Sequence, residues 1–200
     1  MSVVVFDVGN VLLDWDAWRV YRGVLPDDRA IEAFFEEVGF FAWNLEQDRG
    51  RSFADGVRAL SATHPGHADL IARFDRDWQL SVSGAIDGSV EILNELLTRG
   101  IPLYAITNFS SEKWRECLDR FPFLATSFLD TVVSGDERLV KPDPAIYRAL
   151  LERNGLAAKD CLFIDDSPAN VEGAKAVGMD AVRFTDADTL RRDLVARGQL

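Results

Sequence analysis

The chain has 200 residues, 48% of them hydrophobic, and a formal net charge of −11. That length holds one substantial core, or a core with a modest insertion, and the charge argues against a nucleic-acid backbone as partner while allowing a small anion beside a divalent cation. No apolar run approaches the roughly 20 residues of a membrane span, and Met1-Ser2 leads into the first strand without the basic flank of a secretory leader, so the expected compartment is the cytoplasm.

The first predicted element is a strand, Val3-Asp7, ending in a carboxylate and followed by Val8-Gly9-Asn10. From Trp15 to Ser83 no convincing strand is visible. Helical patterns run instead over Arg29–Val38, Phe53–Ala62 and Ala68–Leu80. Trp15, Trp18, Trp43 and Trp78 lie in or beside this stretch; most suit a small helical core, and one or two suit a substrate entrance. His64 and His67 flank Pro65-Gly66 and read as exposed turn residues. Beyond it, a helix is predicted over Val90–Arg99 with Gly100 as its stop, then a strand over Leu103–Thr107 and a helix over Ser111–Asp119. A strand at Thr131–Ser134, a helix at Pro144–Asn154, a strand at Cys161–Asp165, a helix at Pro168–Val177 and a strand at Ala181–Phe184 complete the pattern. Such alternation predicts an α/β fold, a doubly wound Rossmann-like parallel sheet with an inserted all-helical cap. The expected division is a core of residues 1–14 and 84–200 and a cap of residues 15–83. Cys117 and Cys161 sit in apolar-periodic segments and read as buried free thiols.

Ligands of open α/β sheets bind beyond the carboxyl ends of the strands, so the tips carrying Asp7, Thr107-Asn108, Lys141 and Asp165-Asp166 should meet in one crevice. A carboxylate such as Asp7 can attack phosphorus and form an acyl phosphate. Gly9 lets the backbone approach a ligand, and Thr107 and Asn108 can donate to anionic oxygens beside a helix start. Lys141 is held extended by Pro142, which helps aim its ammonium. Adjacent Asp165 and Asp166, with Asp7 nearby, would repel one another, a conflict that a hard cation such as Mg²⁺ removes. Asn170 suits either the acids or the helix start.

The set Asp7, Thr107-Asn108, Lys141 and Asp165-Asp166 resembles, in order and spacing, the four motifs of the haloacid dehalogenase-like hydrolases. The insertion resembles their helical cap of the first type. Phe6-Asp7-Val8-Gly9-Asn10-Val11 is most similar to a bacterial branch with sugar-phosphate phosphatases, glucose 1-phosphate among their substrates. The resemblance implies an Mg²⁺-dependent phosphatase acting on a small phosphorylated metabolite. Asp7 would be the nucleophile, Asp7, Gly9, Asp165 and Asp166 the metal site, and Thr107, Asn108 and Lys141 the phosphate site. One position departs from the pattern: the family's phosphatases carry a second aspartate two residues after the nucleophile, where this chain has Gly9. Asp14 is near in sequence, and Glu46, Asp48 and Arg49, in the glycine-containing segment Asn44–Gly50, are candidates that a cap can bring in, for specificity or for that lost acid. Two other readings remain: a hydrolytic 2-haloacid dehalogenase, which Gly9 favours and the acidic pair opposes, and a phosphate-ligand binder without turnover. No self-complementary stripe indicates an oligomeric state.

Overall fold

The computed structural model describes residues 3–200; Met1 and Ser2, the start of the expected core, lie outside the described residues. Five strands form one parallel sheet: β1 (Val3–Phe6), β4 (Leu103–Thr107), β5 (Thr131–Val133), β6 (Cys161–Asp165) and β7 (Asp180–Arg183), in the order β5-β4-β1-β6-β7. β1 lies at the centre, with Val5 opposite Tyr104 of β4 on one side and Phe163 of β6 on the other. All four of its residues are buried, as expected where both faces of a parallel sheet are covered.

The two-residue period of a strand sends alternate side chains into different layers. Val4 and Phe6 join one apolar cluster, whereas Val3 and Val5 join the other. The first layer takes Ile92, Leu93 and Leu96 from α5 (Asp87–Thr98), Trp114 and Cys117 from α6 (Ser111–Arg120), and Leu190 and Leu194 from α11 (Ala187–Ala196). The second takes Ile146, Tyr147 and Leu150 from α9 (Pro144–Asn154), and Val171 and Ala174 from α10 (Pro168–Ala176). Two short helices, α7 (Phe123–Thr126) and α8 (Ser134–Glu137), complete the core. Cys117 and Cys161 are free and buried, one in each layer, and burial pushes their thiols up to about 12 and about 11.

Helices α1 (Asp28–Val38), α2 (Phe40–Asp48), α3 (Phe53–Thr63) and α4 (Ala68–Arg76) form the cap. Its interior is aromatic. Phe35 and Phe40 stack at 4.1 Å between centroids, and Phe40 meets Phe74 edge-on at 4.7 Å. Gly39, at φ 63°, ends α1 and begins α2, so the chain reverses there without a loop.

The expected absence of strands around the insertion needs correction. β2 (Leu13–Trp15) and β3 (Val82–Ala85) pair antiparallel, Leu13 opposite Ala85 and Trp15 opposite Val82, and form a two-stranded ribbon at the cap's root. Residues Asn44 to Asp48, expected within a glycine-containing segment, are the last turns of α2. The pattern expected over Ala68–Leu80 ends at Arg76, and a tight 3₁₀ turn over Trp78–Ser81 follows. Among the described residues no helix is long and apolar enough to cross a membrane.

Candidate active site

The tips of β1, β4 and β6 and the loop before α9 meet at one end of the sheet. Asp7 follows β1 directly, and its backbone N–H donates to the Ile164 carbonyl of β6 at 2.8 Å, which holds it beside Asp165 and Asp166. Lys141 reaches the same point from the loop before α9. Its ammonium, on a side chain with no exposed surface, lies 2.8 Å from Asp7 Oδ1, 2.7 Å from Asp165 Oδ2 and 3.0 Å from the Ile106 carbonyl of β4. Val8 N–H also donates to Asp7 Oδ1, at 2.6 Å. Asp7 Oδ2 accepts no hydrogen bond among the described residues.

The adjacent acids have different partners. Both oxygens of Asp165 are engaged: Oδ1 accepts from Ser167 N–H and the Asn170 amide, and Oδ2 from Lys141 and the same amide. Asp166 is half-buried, and its own backbone N–H and the Asn10 side chain favour its charged form. Asn10 itself sits at φ 56°, a left-handed position that asparagine tolerates.

One ammonium faces three carboxylates, and their electrostatics follow from that imbalance. Burial, opposed by Lys141 but reinforced by Asp165 and Asp166, pushes the Asp7 carboxyl up to about 8. Burial and then Asp165 raise Asp166 above the ordinary carboxylate range. Burial works against the Lys141 ammonium, yet Asp7 and Asp165 outweigh it and hold its pKa above the usual value. Asp7, Asp165 and Asp166 each offer an oxygen, all within 4.8 Å of one another. Clustered hard oxygen donors with unbalanced negative charge fit a small divalent cation, and Mg²⁺ is bound in such settings by one or two carboxylates. A further unmet demand lies alongside. Thr107 is 1% exposed, and its hydroxyl has no hydrogen-bond partner among the described residues. Buried hydroxyls are nearly always bonded, so this one fits a ligand oxygen.

Asn108 has a different position from the one its strand-end location suggests. Its carboxamide clamps Lys141, donating to the Lys141 carbonyl at 3.1 Å and accepting its N–H at 2.8 Å. The side chain therefore aims the lysine, and its second amide hydrogen is left for a ligand.

A cavity of about 140 Å³ opens beside Gly9, Asn10 and Asn108. Trp15, Phe53, Trp78 and Phe109 supply apolar walls, and Asn44, Asp48, Ser110 and Lys113 add polar groups. Thus Trp15 and Trp78 line the cavity, while Trp43 packs inside the cap against Phe40 and Phe53. Of the cap residues singled out from sequence, Asp48 reaches this cavity. Burial pushes its carboxyl up to about 7, against the opposing effect of the nearby Ser110 N–H. Glu46 and Arg49 are not brought there; they pair with each other at 2.7 Å, both well exposed. Asp14 is bound to Arg19 at 2.7 Å and Ser83 at 2.5 Å, and those two bonds hold its carboxyl below the ordinary range. His64 precedes a 3₁₀ turn of the cap and His67 ends it; both are half-buried rather than exposed, His67 against Glu37 at 3.1 Å.

Other residues of the site were not read from sequence. Asn44 shares the helix face of Asp48 and shows only once α2 is recognised. Lys113 is tied to Asp75 and Glu116, both at 2.9 Å, and bridges cap to core. Ser134 donates to the Asp48 carbonyl at 2.6 Å across the same junction. There the backbones nearly touch: a Cβ on Gly50, at φ 93°, would lie 2.7 Å from the Gly135 carbonyl.

Comparison with known proteins gives the lineage. Residues 1–178 match the family haloacid dehalogenase-like hydrolase. A phosphoglycolate phosphatase of Rhodospirillum rubrum is 37% identical over 123 residues, 61% of this chain and 50% of that protein. Validoxylamine A 7'-phosphate phosphatase of Streptomyces hygroscopicus subsp. limoneus is 27% identical, with 96% of this chain and 94% of the relative covered. The chain spans about half the length of the first curated relatives it matches, 44% and 50% for two of them. A HAD family enzyme, bt-2542 of Bacteroides thetaiotaomicron, superposes with a TM-score of 0.75 at 21% identity, covering 93% of this chain and 94% of that one, and so shares the fold.

Proposed function

Since this chain belongs to the haloacid dehalogenase-like hydrolases, we propose that it is an Mg²⁺-dependent phosphatase of small phosphomonoesters, a sugar phosphate being the favoured substrate. The observation that carries this reading is the charge imbalance at the strand tips: Asp7, Asp165 and Asp166 around one buried ammonium, beside the unpartnered Thr107 hydroxyl.

In this reading Asp7, the Gly9 carbonyl and Asp166 hold the metal, with Asp165 supporting it. The cation supplies charge neutralisation for the phosphoryl oxygens, the dominant need of phosphoryl transfer. Asp7 attacks phosphorus in line through Oδ2, the oxygen left open by Lys141 and Val8. Thr107, Asn108 and Lys141 receive the equatorial oxygens. Water then hydrolyses the aspartyl phosphate. Residues 15–83 serve as a cap over the core of 1–14 and 84–200. The Lys113–Asp75 pair and the Phe53 N–H bond to Glu112 at 3.1 Å support a closed position that excludes bulk water. The cavity of about 140 Å³ limits the leaving group to a small one. The names of the relatives, phosphoglycolate phosphatase and validoxylamine A 7'-phosphate phosphatase, agree in reaction type and differ in substrate.

Phosphate release from p-nitrophenyl phosphate and a panel of hexose, pentose and two-carbon phosphates, with Mg²⁺ and with chelator, tests this. Release that needs Mg²⁺ and disappears in Asp7→Asn is the expected outcome. Because Gly9 carries no side chain, dehalogenation of 2-haloacids is a second reading. Chloride release from 2-chloropropionate in the presence of chelator, without phosphatase activity, would establish that reading instead.

A further inference from the structure

An unactivated alkoxide is a poor leaving group until a proton reaches it, and positioned proton transfer contributes about 10²- to 10⁴-fold to rate. Most ionisable groups near the strand tips are unsuited to the task. Asp7 is the nucleophile, Asp165 has both oxygens bonded, and Asp166 belongs to the cation site. Asp14 is held ionised by Arg19 and Ser83. Gly9 adds nothing, and a Cβ built there meets nothing within 4 Å. Of the residues around the cavity, only Asp48 and Lys113 are ionisable. Lys113 faces Asp75 and Glu116, which hold its proton against the opposing effect of burial.

We infer that Asp48, delivered by the cap, is the general acid and base of this site, and that it protonates the leaving alcohol. This rests on the phosphatase reading above. In the first half-reaction Asp7 Oδ2 forms the new bond to phosphorus. The bridging P–O bond breaks, and its electrons take the proton of the neutral Asp48 carboxyl, so the alcohol leaves and Asp48 becomes a carboxylate. In the second, water attacks phosphorus and gives a proton to Asp48. The aspartyl–phosphate bond breaks, and inorganic phosphate, the Asp7 carboxylate and neutral Asp48 are restored.

The surroundings of Asp48 suit both tasks. From the core come the N–H of Ser110, the N-cap of α6, a neutral group that favours the carboxylate, and Lys113, whose charge is already matched. From its own helix, Asn44 Nδ2 lies 3.5 Å from Oδ2, and Arg49 turns away to Glu46. From α8, Ser134 grips the Asp48 carbonyl, and α3 contributes the Phe53 ring. No unmatched charge faces the carboxyl among these described groups, so burial governs it, and at about 7 it can both give and take a proton near neutrality. The same contacts join cap to core, so the proton donor is in place only when the cap is closed.

The test compares phosphoryl transfer to Asp7 from two esters in wild type and Asp48→Asn, with Mg²⁺ present. One ester is p-nitrophenyl phosphate, whose leaving group needs no proton; the other is the sugar phosphate that wild type turns over fastest. For Asp48→Asn we expect single-turnover transfer from the sugar phosphate to fall about 100-fold. On p-nitrophenyl phosphate a nitrophenolate burst at near wild-type rate should precede a slow steady state. Adding Gly9→Asp to Asp48→Asn should restore much of the sugar-phosphate rate, because that side chain enters open space. Asn keeps an acceptor for Ser110, so an unchanged melting temperature separates chemistry from folding; if it does fall, Asp48→Glu must recover transfer from the sugar phosphate and so remove the difference between the two esters. Equal losses on both esters, no loss on either, or no rescue by Gly9→Asp would overturn the assignment of Asp48 while leaving the phosphatase reading intact. Wild type that releases phosphate from no ester would overturn both.

Discussion

Lys141→Met removes the one cation from a cluster of three acids. At 2.8 and 2.7 Å, and with an effective dielectric near 20, the ammonium's attraction to Asp7 and to Asp165 is worth about 6 kcal/mol each. Burying that ammonium offsets much of this, and removing one partner of a buried ion pair costs about 3–5 kcal/mol, the loss expected in the variant. Urea denaturation in chelator at pH 8 should show it as a midpoint lower by about 2 M. The loss should depend on pH in a defined direction. Asp7 already binds its proton more tightly folded, at about 8, than an ordinary carboxyl at 3.8, so the fold loses stability as pH rises through that window. Without Lys141 the folded state must hold the proton on Asp7 still more tightly, so pH 5 should recover at least half of the loss. Saturating Mg²⁺ at pH 8 should recover part of it by the same logic. A variant as stable as wild type at pH 8 in chelator, or equally destabilised at pH 5 and pH 8, would refute this account.

Three further outcomes are expected. Thr107→Val replaces an unpartnered buried hydroxyl with a shape-matched methyl, so denaturation should show equal or slightly greater stability, while inhibition by vanadate weakens about tenfold. Gly135→Ala would place a Cβ 2.6 Å from Ser111 N and 2.9 Å from the Phe109 carbonyl, both backbone; a loss of about 1–3 kcal/mol in denaturation, with a raised KM for every phosphomonoester, should follow. Mg²⁺ at about 100 times its Kd should stabilise the wild type by about 2.7 kcal/mol, read as a rise in melting temperature that Asp166→Asn abolishes.

Much of this architecture can be read along the chain because its signals are local. β4 and β6 are unbroken apolar runs, and α9 and α10 open on prolines at their first turns, so their limits stand within a residue of expectation. The ribbon of β2 and β3 carries no such signal: its strands have three and four residues, and each exists only through a partner far away in the chain. Helix α2 is obscured for another reason. Gly39 serves two helices at once, and Phe40, Phe41, Trp43 and Leu45 do not fall on one face. Helix α11 has local signals of its own, Asp186 capping Thr189 N–H and Leu190 and Leu194 one turn apart, but it lies beyond the last strand of the alternation. At the site, the acids and the lysine announce themselves through residue type and place. That Asn108 clamps Lys141, and that Asp48 lies against Ser110, depends on side chains meeting across elements, which no spacing encodes.

The two thiols give the molecule an internal clock. With both pushed well above neutrality, almost no reactive thiolate exists while the layers stay packed, so alkylating reagents and mild peroxide should find nothing to modify. Labelling then reports how often each face of the sheet opens, Cys117 for the face that meets the cap and Cys161 for the opposite one, and two rates measured in one tube would tell whether the faces open together or apart.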